Sequence, residues 1–530
     1  MRARTLFEGF GIGIALTLNY TWGHLSPRHI DDLYLRMLPV NSVIGGALVD
    51  LFAISVAAIA LILLLDRYDR PCKTPTWAVV IALVPAVLVR TAFSLMETGN
   101  HWLTSTVLFA GLFLPAVALW LRWNKGYRLV VRGFRWAMAG LGVCMLWMAP
   151  RLMYMFVERQ PQDVASFHRN VQADSPRTQP RIVWILLDEL SYDQTFEHRQ
   201  PGLSLPNFDA LHAASTSFSN VEPAGYYTDE IIPAILRGKP VADEQSGPDG
   251  MLIVRSSREE GWVKFDPQAT LLGDAHRLGW TTGIAGWFNP YCRVFASVVD
   301  NCSWLAFSDT FRGHMSRRNS VLQNALSPVL SKAHGTAEDS EIVEHRSAYP
   351  VLLARSLALI QDPSIRFVFL HLPVPHPPGA FDRTRHQVAN GGSYLDNLAL
   401  ADEALGVLRA AIEASTAAQN TTLIVSSDHS MRVPKWRGGL YWTKEDEQVF
   451  HDRFDPRPVL IIRFPGEGEQ QDIPATFQEL RTHDLLEAVL QGRMKDSAEL
   501  RRWLTDTNSS RAVCLKCDQA SEPVQKIESR

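Results

Sequence analysis

The sequence predicts an N-terminal α-helical membrane domain followed by an α/β sandwich built on a mostly parallel sheet. Three observations carry this expectation. Residues 1–157 are dominated by long apolar runs with few acidic residues. Beyond them stand four short continuous apolar runs, at 181–187, 367–372, 421–427 and 458–464, as expected of central strands covered on both faces. Between the second and third, "YLDNLALADEALGVLRAAIEAS" (394–415) has apolar residues at helical spacing and is long enough for a crossover helix.

A chain of 530 residues exceeds one ordinary domain. The formal net charge of −3 leaves no basic surplus, so nucleic acid is not an expected partner. The mean hydropathy of −0.04 averages an apolar first part and a soluble-type second part. The expected division is a transmembrane domain at 1–157, a connector at 158–180, a catalytic domain at 181–495 and a tail at 496–530.

Taken in order, apolar runs at 7–23, 43–65, 76–95, 103–121 and 134–150 each approach the ~20 residues of a bilayer-spanning helix. Five spans are therefore expected. The first follows Arg2 and Arg4 but lacks a small-residue cleavage site, so it reads as an uncleaved anchor. Its "GFGIG" (9–13) has no preceding strand and reads as packing glycine, not a dinucleotide loop. Arg2 and Arg4, then Arg67, Arg70 and Lys73, then Arg122, Lys125, Arg128, Arg132 and Arg135 fall on alternate connections. The excess of positive charge on cytoplasmic loops and an odd number of spans place the large C-terminal part outside. In a bacterium this is the inner (cytoplasmic) membrane with the catalytic domain on the periplasmic or extracytoplasmic side.

The connector "VERQPQDVASFHRNVQADSPRTQP" (157–180) loses the apolar density and reads as amphipathic or extended. Cys292 and Cys302 in "YCRVFASVVDNC", and Cys514 and Cys517 in "CLKC", lie in the outer part and are candidates for two local disulfides. The lone CxxC also suits a redox pair or half a metal site.

Two strands end in paired metal-ligand residue types. Asp188 and Glu189 follow "RIVWILL", and Asp428 and His429 follow "TTLIVSS". Sites in open parallel sheets form beyond the carboxyl ends of the strands. Hard oxygen donors with an imidazole suit a divalent ion such as zinc or manganese. Either pair alone also reads as a helix cap and a loop histidine. Between them, Thr228 in "NVEPAGYYTDEIIPAILRGKP" opens a helix. That position suits a nucleophile attacking an anion held at the helix N-terminus, and equally an ordinary N-cap ahead of Asp229 and Glu230.

The segments "VWILLDELSYD", "YYTDEIIPAILRG", "FVFLHLPVPHPPGAF", "YLDNLALAD", "LIVSSDHS", "PVLIIRFPG" and "RTHDLLEAVL" span about 181–495. In this order they resemble the alkaline phosphatase and sulfatase superfamily, and most closely its membrane-anchored branch of phosphoethanolamine transferases and lipoteichoic acid synthases. The resemblance implies an alkaline-phosphatase-like α/β domain after about five transmembrane helices. It implies Glu189, assisted by Asp188, together with Asp428 and His429 as ligands of a divalent metal, and Thr228 as nucleophile. His376 in "VPHPPG" resembles the histidine that faces the substrate or a second metal, with His371 as a further candidate. His451 resembles a late histidine of the transferases. The chain departs from that pattern in "DHSMR" where the branch has "DHG", and in "HLPVPHPPGAFDR" where transferases have "SHGP". It has no Cys or Ser in the C/S-x-P-x-R setting of sulfatases. The implied activity is metal-dependent transfer of a phosphoethanolamine- or phosphoglycerol-type group from a phospholipid donor to an envelope glycan or lipid acceptor through a phosphothreonine. A phosphodiester or phosphonate ester hydrolase with the same site, or a non-catalytic envelope protein on this fold, are the alternatives.

Overall fold

The computed structural model describes residues 3–25, 33–68, 74–95, 101–158, 163–169, 179–306, 310–311, 315–334, 337–389, 391–439, 441–450 and 454–506. The chain divides into two compact units, Met1–Gln162 with Ser308–Gly335, and Asp163–Phe307 with Thr336–Arg530.

The first unit is helical: α1 (Ala3–Leu25), α2 (Asn41–Tyr68), α3 (Thr76–Leu95), α4 (His101–Arg122), α5 (Asn124–Gly142) and α6 (Met145–Val157). Three described stretches, 41–68, 104–122 and 124–157, are long and apolar enough to cross a membrane, and Thr76–Val89 is apolar but shorter. The expectation of a cytoplasmic loop carrying Lys125, Arg128, Arg132 and Arg135 is corrected: all four lie on α5, and only Trp123 separates α4 from it. Lysine and arginine are good helix formers, so positive charge alone does not interrupt a helix. Arg135 is held there by Glu8 Oε2 at 2.7 Å and Asp66 Oδ1 at 2.7 Å. Glu8 is 1 % exposed and also accepts from Arg4 Nε at 2.6 Å. Buried charge among apolar helices is tolerated when paired in this way. Gly11 brings the α1 backbone against α5, where a Cβ would stand 1.9 Å from the Met138 carbonyl oxygen.

The second unit is built on a nine-stranded sheet. Its strands in chain order are β1 (Ser166–His168), β2 (Arg181–Leu187), β3 (Thr216–Phe218), β4 (Thr282–Phe288), β5 (Asn301–Ala306), β6 (Phe367–Leu372), β7 (Thr421–Ser426), β8 (Leu460–Arg463) and β9 (Gln471–Ile473). The spatial order is β1-β5-β4-β6-β2-β7-β8-β3-β9. From β5 to β7 all pairings are parallel, while β1 and β8 run antiparallel to their neighbours. Part of the expected connector thus forms the edge strand β1, and the run at 458–464 returns antiparallel.

All seven residues of β2 and all six of β6 and β7 are buried, which is why these segments are continuously apolar. The crossover from β6 to β7 runs through a helix at Tyr394–Ala414. Its Leu398, Ala401, Leu405 and Leu408 join the core formed with Val183, Ile185, Leu187, Leu370 and Val425. Arg181, 1 % exposed, opens β2 and donates to the carbonyls of Leu359, Ile360 and Ile365 at 2.9–3.0 Å. Leu359 and Ile360 lie in the last turn of the helix Ala337–Gln361, where carbonyls lack intrahelical partners. A buried cation there satisfies both itself and the helix end.

Candidate active site

β6 and β7 flank β2 on opposite sides and run parallel to it, so the carboxyl ends of the three strands lie side by side. Sites in open parallel sheets form beyond those ends. Register fixes what faces it. Ser426 and His371 both stand opposite Leu186, so Asp428 comes level with Asp188, and His371 lies on the same face two residues back.

Asp188, His371 and Asp428 offer ligand atoms that lie within 4.8 Å of one another, and all three residues are buried. His371 Nε2 is 3.4 Å from Asp188 Oδ2. Neither Asp188 oxygen nor His371 Nε2 has a hydrogen-bond partner among the described residues. Burial pushes the Asp188 carboxyl well above its ordinary range, with Asp428 beside it adding to the rise. Burial likewise lowers His371 to about 4 and keeps its imidazole neutral. Burial works against the charge on Asp428 too, yet His429 beside it holds the carboxyl below its ordinary range. Converging buried carboxylate and imidazole atoms suit a divalent cation, which would satisfy all of them at once. The donor set of two carboxylates and an imidazole fits such an ion.

His429 stands between this group and Thr228. Its Nδ1 lies 3.0 Å from the Ser430 carbonyl, placed to donate an N–H to it, and its Nε2 faces inward. That Nε2 is 3.2 Å from the Thr228 hydroxyl, 3.1 Å from Asp428 Oδ2 and 3.9 Å from Asp188 Oδ1. Thr228 is the first residue of α7 (Thr228–Arg237) and is 3 % exposed. The capping function belongs to Glu230, whose Oε2 accepts from the backbone N–H groups of Tyr226 and Tyr227 at 3.2 and 3.3 Å. The Thr228 hydroxyl is therefore directed to His429 and not to the helix backbone.

Glu189 stands apart from this group. It is adjacent to Asp188 but takes φ 64°, the left-handed region that few non-glycine residues occupy. The turn sends its carboxylate away from the Asp188 group, to Arg432 Nε at 2.6 Å and Trp436 Nε1 at 2.9 and 3.0 Å. Tyr394 OH stabilises the turn by donating to the Glu189 carbonyl at 2.8 Å and accepting from the Ser191 N–H at 3.0 Å. His371, expected on the substrate side, stands beside Asp188 and Asp428, where the resemblance had put Glu189.

His376 lies on that other side, with Arg432 Nη2 3.4 Å from its Nε2 and its ring 5.3 Å from Trp287 and 5.2 Å from Trp436. Burial and then the Arg432 charge push it well below the ordinary histidine range, so it stands as a neutral donor or acceptor and not as a cationic acid. Asn397 holds its loop, donating to the His376 and Pro378 carbonyls at 2.9 and 3.1 Å. Cys292 and Cys302 are joined in a disulfide. His451, Cys514 and Cys517 lie outside the described residues.

Against this geometry, the sequence model of the Sulfatase family matches residues 180–491. The chain belongs to the sulfatase family. It is accordingly an enzyme of the alkaline phosphatase superfamily, in the class of metal-dependent hydrolases and transferases. No curated protein matches it. Among solved structures, this sulfatase-family chain is similar to the phosphonate monoester hydrolase of Agrobacterium radiobacter at 14% identity, covering 59% of this chain and 74% of that one, with TM-score 0.40. It is similar to an alkaline phosphatase superfamily protein from Vibrio parahaemolyticus at 16% identity, covering 59% and 66%, with TM-score 0.37. A sulfatase from Pseudoalteromonas sp. gives 13% identity, 59% and 68% coverage and TM-score 0.37.

Within this sulfatase-family site, Arg432, Trp436, Tyr394, Asn397 and Trp287 were not singled out by the sequence. Arg432 and Trp436 do follow Asp428 within eight residues, in "DHSMRVPKW". A cation and an indole so soon after a strand-terminal carboxylate are the signal that would have found them.

Proposed function

We propose that this sulfatase-family enzyme is a membrane-bound phosphotransferase, moving a phosphoethanolamine- or phosphoglycerol-type group from a phospholipid to an envelope glycan or lipid. The observation that carries the reading is the Thr228 hydroxyl, at a helix N-terminus, 3.2 Å from His429 Nε2 and beside the buried Asp188, His371 and Asp428 group. Apolar helices long enough to cross a membrane, in the same chain, support a lipid donor, because they would tether the enzyme to its substrate's bilayer.

Asp188, His371 and Asp428 would hold the divalent ion, zinc or manganese, with His429 adjoining them. When bound, the ion acts as a Lewis acid that lowers the Thr228 hydroxyl pKa and neutralises phosphoester charge. The α7 N-terminus presents backbone N–H groups to the phosphoryl oxygens. Arg432, and Lys435 whose ammonium lies 5.7 Å from the Tyr227 ring, add positive charge near the anionic ester. In the first step the Thr228 oxygen bonds to phosphorus and loses its proton on the side of His429, while the bond from phosphorus to the diacylglycerol oxygen breaks and that oxygen takes up a proton to leave as the alcohol. In the second, the acceptor oxygen bonds to phosphorus and loses its proton, the bond from phosphorus to the threonine oxygen breaks, and Thr228 takes up a proton again. His376 positions the second group as a neutral hydrogen-bonding partner.

The test uses detergent-purified wild type and Thr228→Ala with labelled phosphatidylethanolamine and phosphatidylglycerol, scoring metal-dependent diacylglycerol release with and without a glycan acceptor. Wild type should release diacylglycerol from one lipid, and Thr228→Ala should be slower by on the order of 10³-fold or more. Release into water at the same rate without any acceptor would favour the hydrolase. Full turnover in Thr228→Ala would overturn the nucleophile assignment.

A further inference from the structure

We propose that Tyr291 is a positioning residue for the metal site: its phenol fixes the His371 imidazole so that Nε2, and not Nδ1, is the atom offered to the cation. The inference rests on the metal reading given above and concerns how this chain builds that site.

The geometry is specific. Tyr291 OH lies 2.8 Å from His371 Nδ1. The two rings stand edge-on, with centroids 6.0 Å apart and planes at 89°, so the phenol meets the imidazole at its edge. A neutral imidazole carries one N–H, and Nε2 has no hydrogen-bond partner among the described residues. The proton therefore belongs on Nδ1, where Nδ1–H donates to the phenol oxygen, and the Nε2 lone pair is left facing Asp188 Oδ2 at 3.4 Å. Histidines that bind metals commonly have the far ring nitrogen oriented by a partner of this kind.

The surrounding structure is shaped to hold the phenol. Tyr291 is fully buried and opens the short helix α8 (Tyr291–Val294) just beyond β4. Gly286 of β4 makes room for it, since a Cβ there would come within 2.3 Å of Tyr291 Cδ2 and Cε2. The next residue, Cys292, is covalently joined to Cys302 in β5. Phe295 stacks on the ring from one side at 6.2 Å, and Phe369 of β6 meets it at 5.7 Å.

The experiment titrates metal-free, full-length wild type and Tyr291→Phe with Co²⁺ and Zn²⁺ in detergent, and follows the cobalt d–d absorption. The expected result is ~10–100-fold weaker binding in the variant and an altered cobalt spectrum, with unchanged thermal unfolding of the metal-free protein. Equal affinities and superimposable spectra would overturn the proposal. Should the phenylalanine variant fail to fold, the ¹⁵N shifts of His371 in zinc-loaded wild type decide. A protonated Nδ1 with metal at Nε2 supports the assignment, and the opposite tautomer ends it. Failure of wild type to bind either metal would instead remove the metal reading itself, and this inference with it.

Discussion

At the scale of single residues, adjacency in sequence proved a poor guide to shared chemistry. Asp188 and Glu189 are neighbours, yet the left-handed turn at Glu189 sends one carboxylate to His371 and Asp428 and the other to Arg432. Glu189 and Arg432 are 0 % and 4 % exposed at their side chains, so each is the other's main compensation for lost water. Glu189→Gln should accordingly destabilise the protein by about 3 kcal/mol, because a buried arginine loses its counter-charge, while the metal stoichiometry stays that of wild type. Thermal unfolding and metal analysis of the purified variant check both halves. Loss of the metal with no loss of stability would return Glu189 to the ligand set.

At the scale of elements, the site depends on segments that carry no reacting group. The loop before α7 is held by Glu479, whose Oε2 accepts the Ala224 N–H at 2.7 Å. Burial raises the Glu479 carboxyl well above its ordinary 4.5, although the Ala224 N–H favours the ionised form. A carboxyl raised in the folded state binds its proton more tightly there than in the unfolded chain. Its stabilising contribution is then complete below about pH 4.5 and lost as the pH climbs through the folded value. Glu479→Gln keeps the neutral shape at every pH. The variant should match wild type in Tm near pH 4.5 and exceed it by a margin that grows toward pH 8, read by thermal unfolding across that range. A gap that shrinks with rising pH would show the carboxylate to be the stabilising form.

The strands, the crossover helix and the strand-terminal carboxylates were legible because their physics is local. β2, β6 and β7 are continuously apolar since both faces are covered, and Tyr394–Ala414 shows helical spacing since one face meets the core. His371 was legible as a histidine inside an apolar strand and, through the resemblance, as a candidate for the substrate or a second metal. Its partnership with Asp188 follows from the β6–β2 register, which places it opposite Leu186. Tyr291 and Arg432 were invisible for a related reason, since each meets its partner across a long sequence separation.

At the scale of the whole molecule, the apolar first unit and the enzyme unit remain two bodies on one chain. Five spans were expected, and three described stretches have the length and apolarity to cross a membrane. The enzyme unit outside remains the proposal, and its Cys292–Cys302 disulfide suits an oxidising compartment. Protease added to intact spheroplasts should therefore cut the enzyme unit, and the same protease added to inverted vesicles should not. Cleavage in the inverted vesicles alone would reverse the orientation.

By itself the sequence determined where apolar runs lie, which of them have helical or strand length, and that two central strands end in carboxylates with a threonine opening a helix between them. These properties depend on residues within a few positions of one another. The tertiary structure decided which atoms meet: His371 and not Glu189 beside Asp188, Thr228 on His429, Arg432 on Glu189, and Tyr291 behind His371. Those contacts are set by strand register, one left-handed turn and side chains distant in the chain. No local pattern encodes them, because each is fixed only when the sheet assembles.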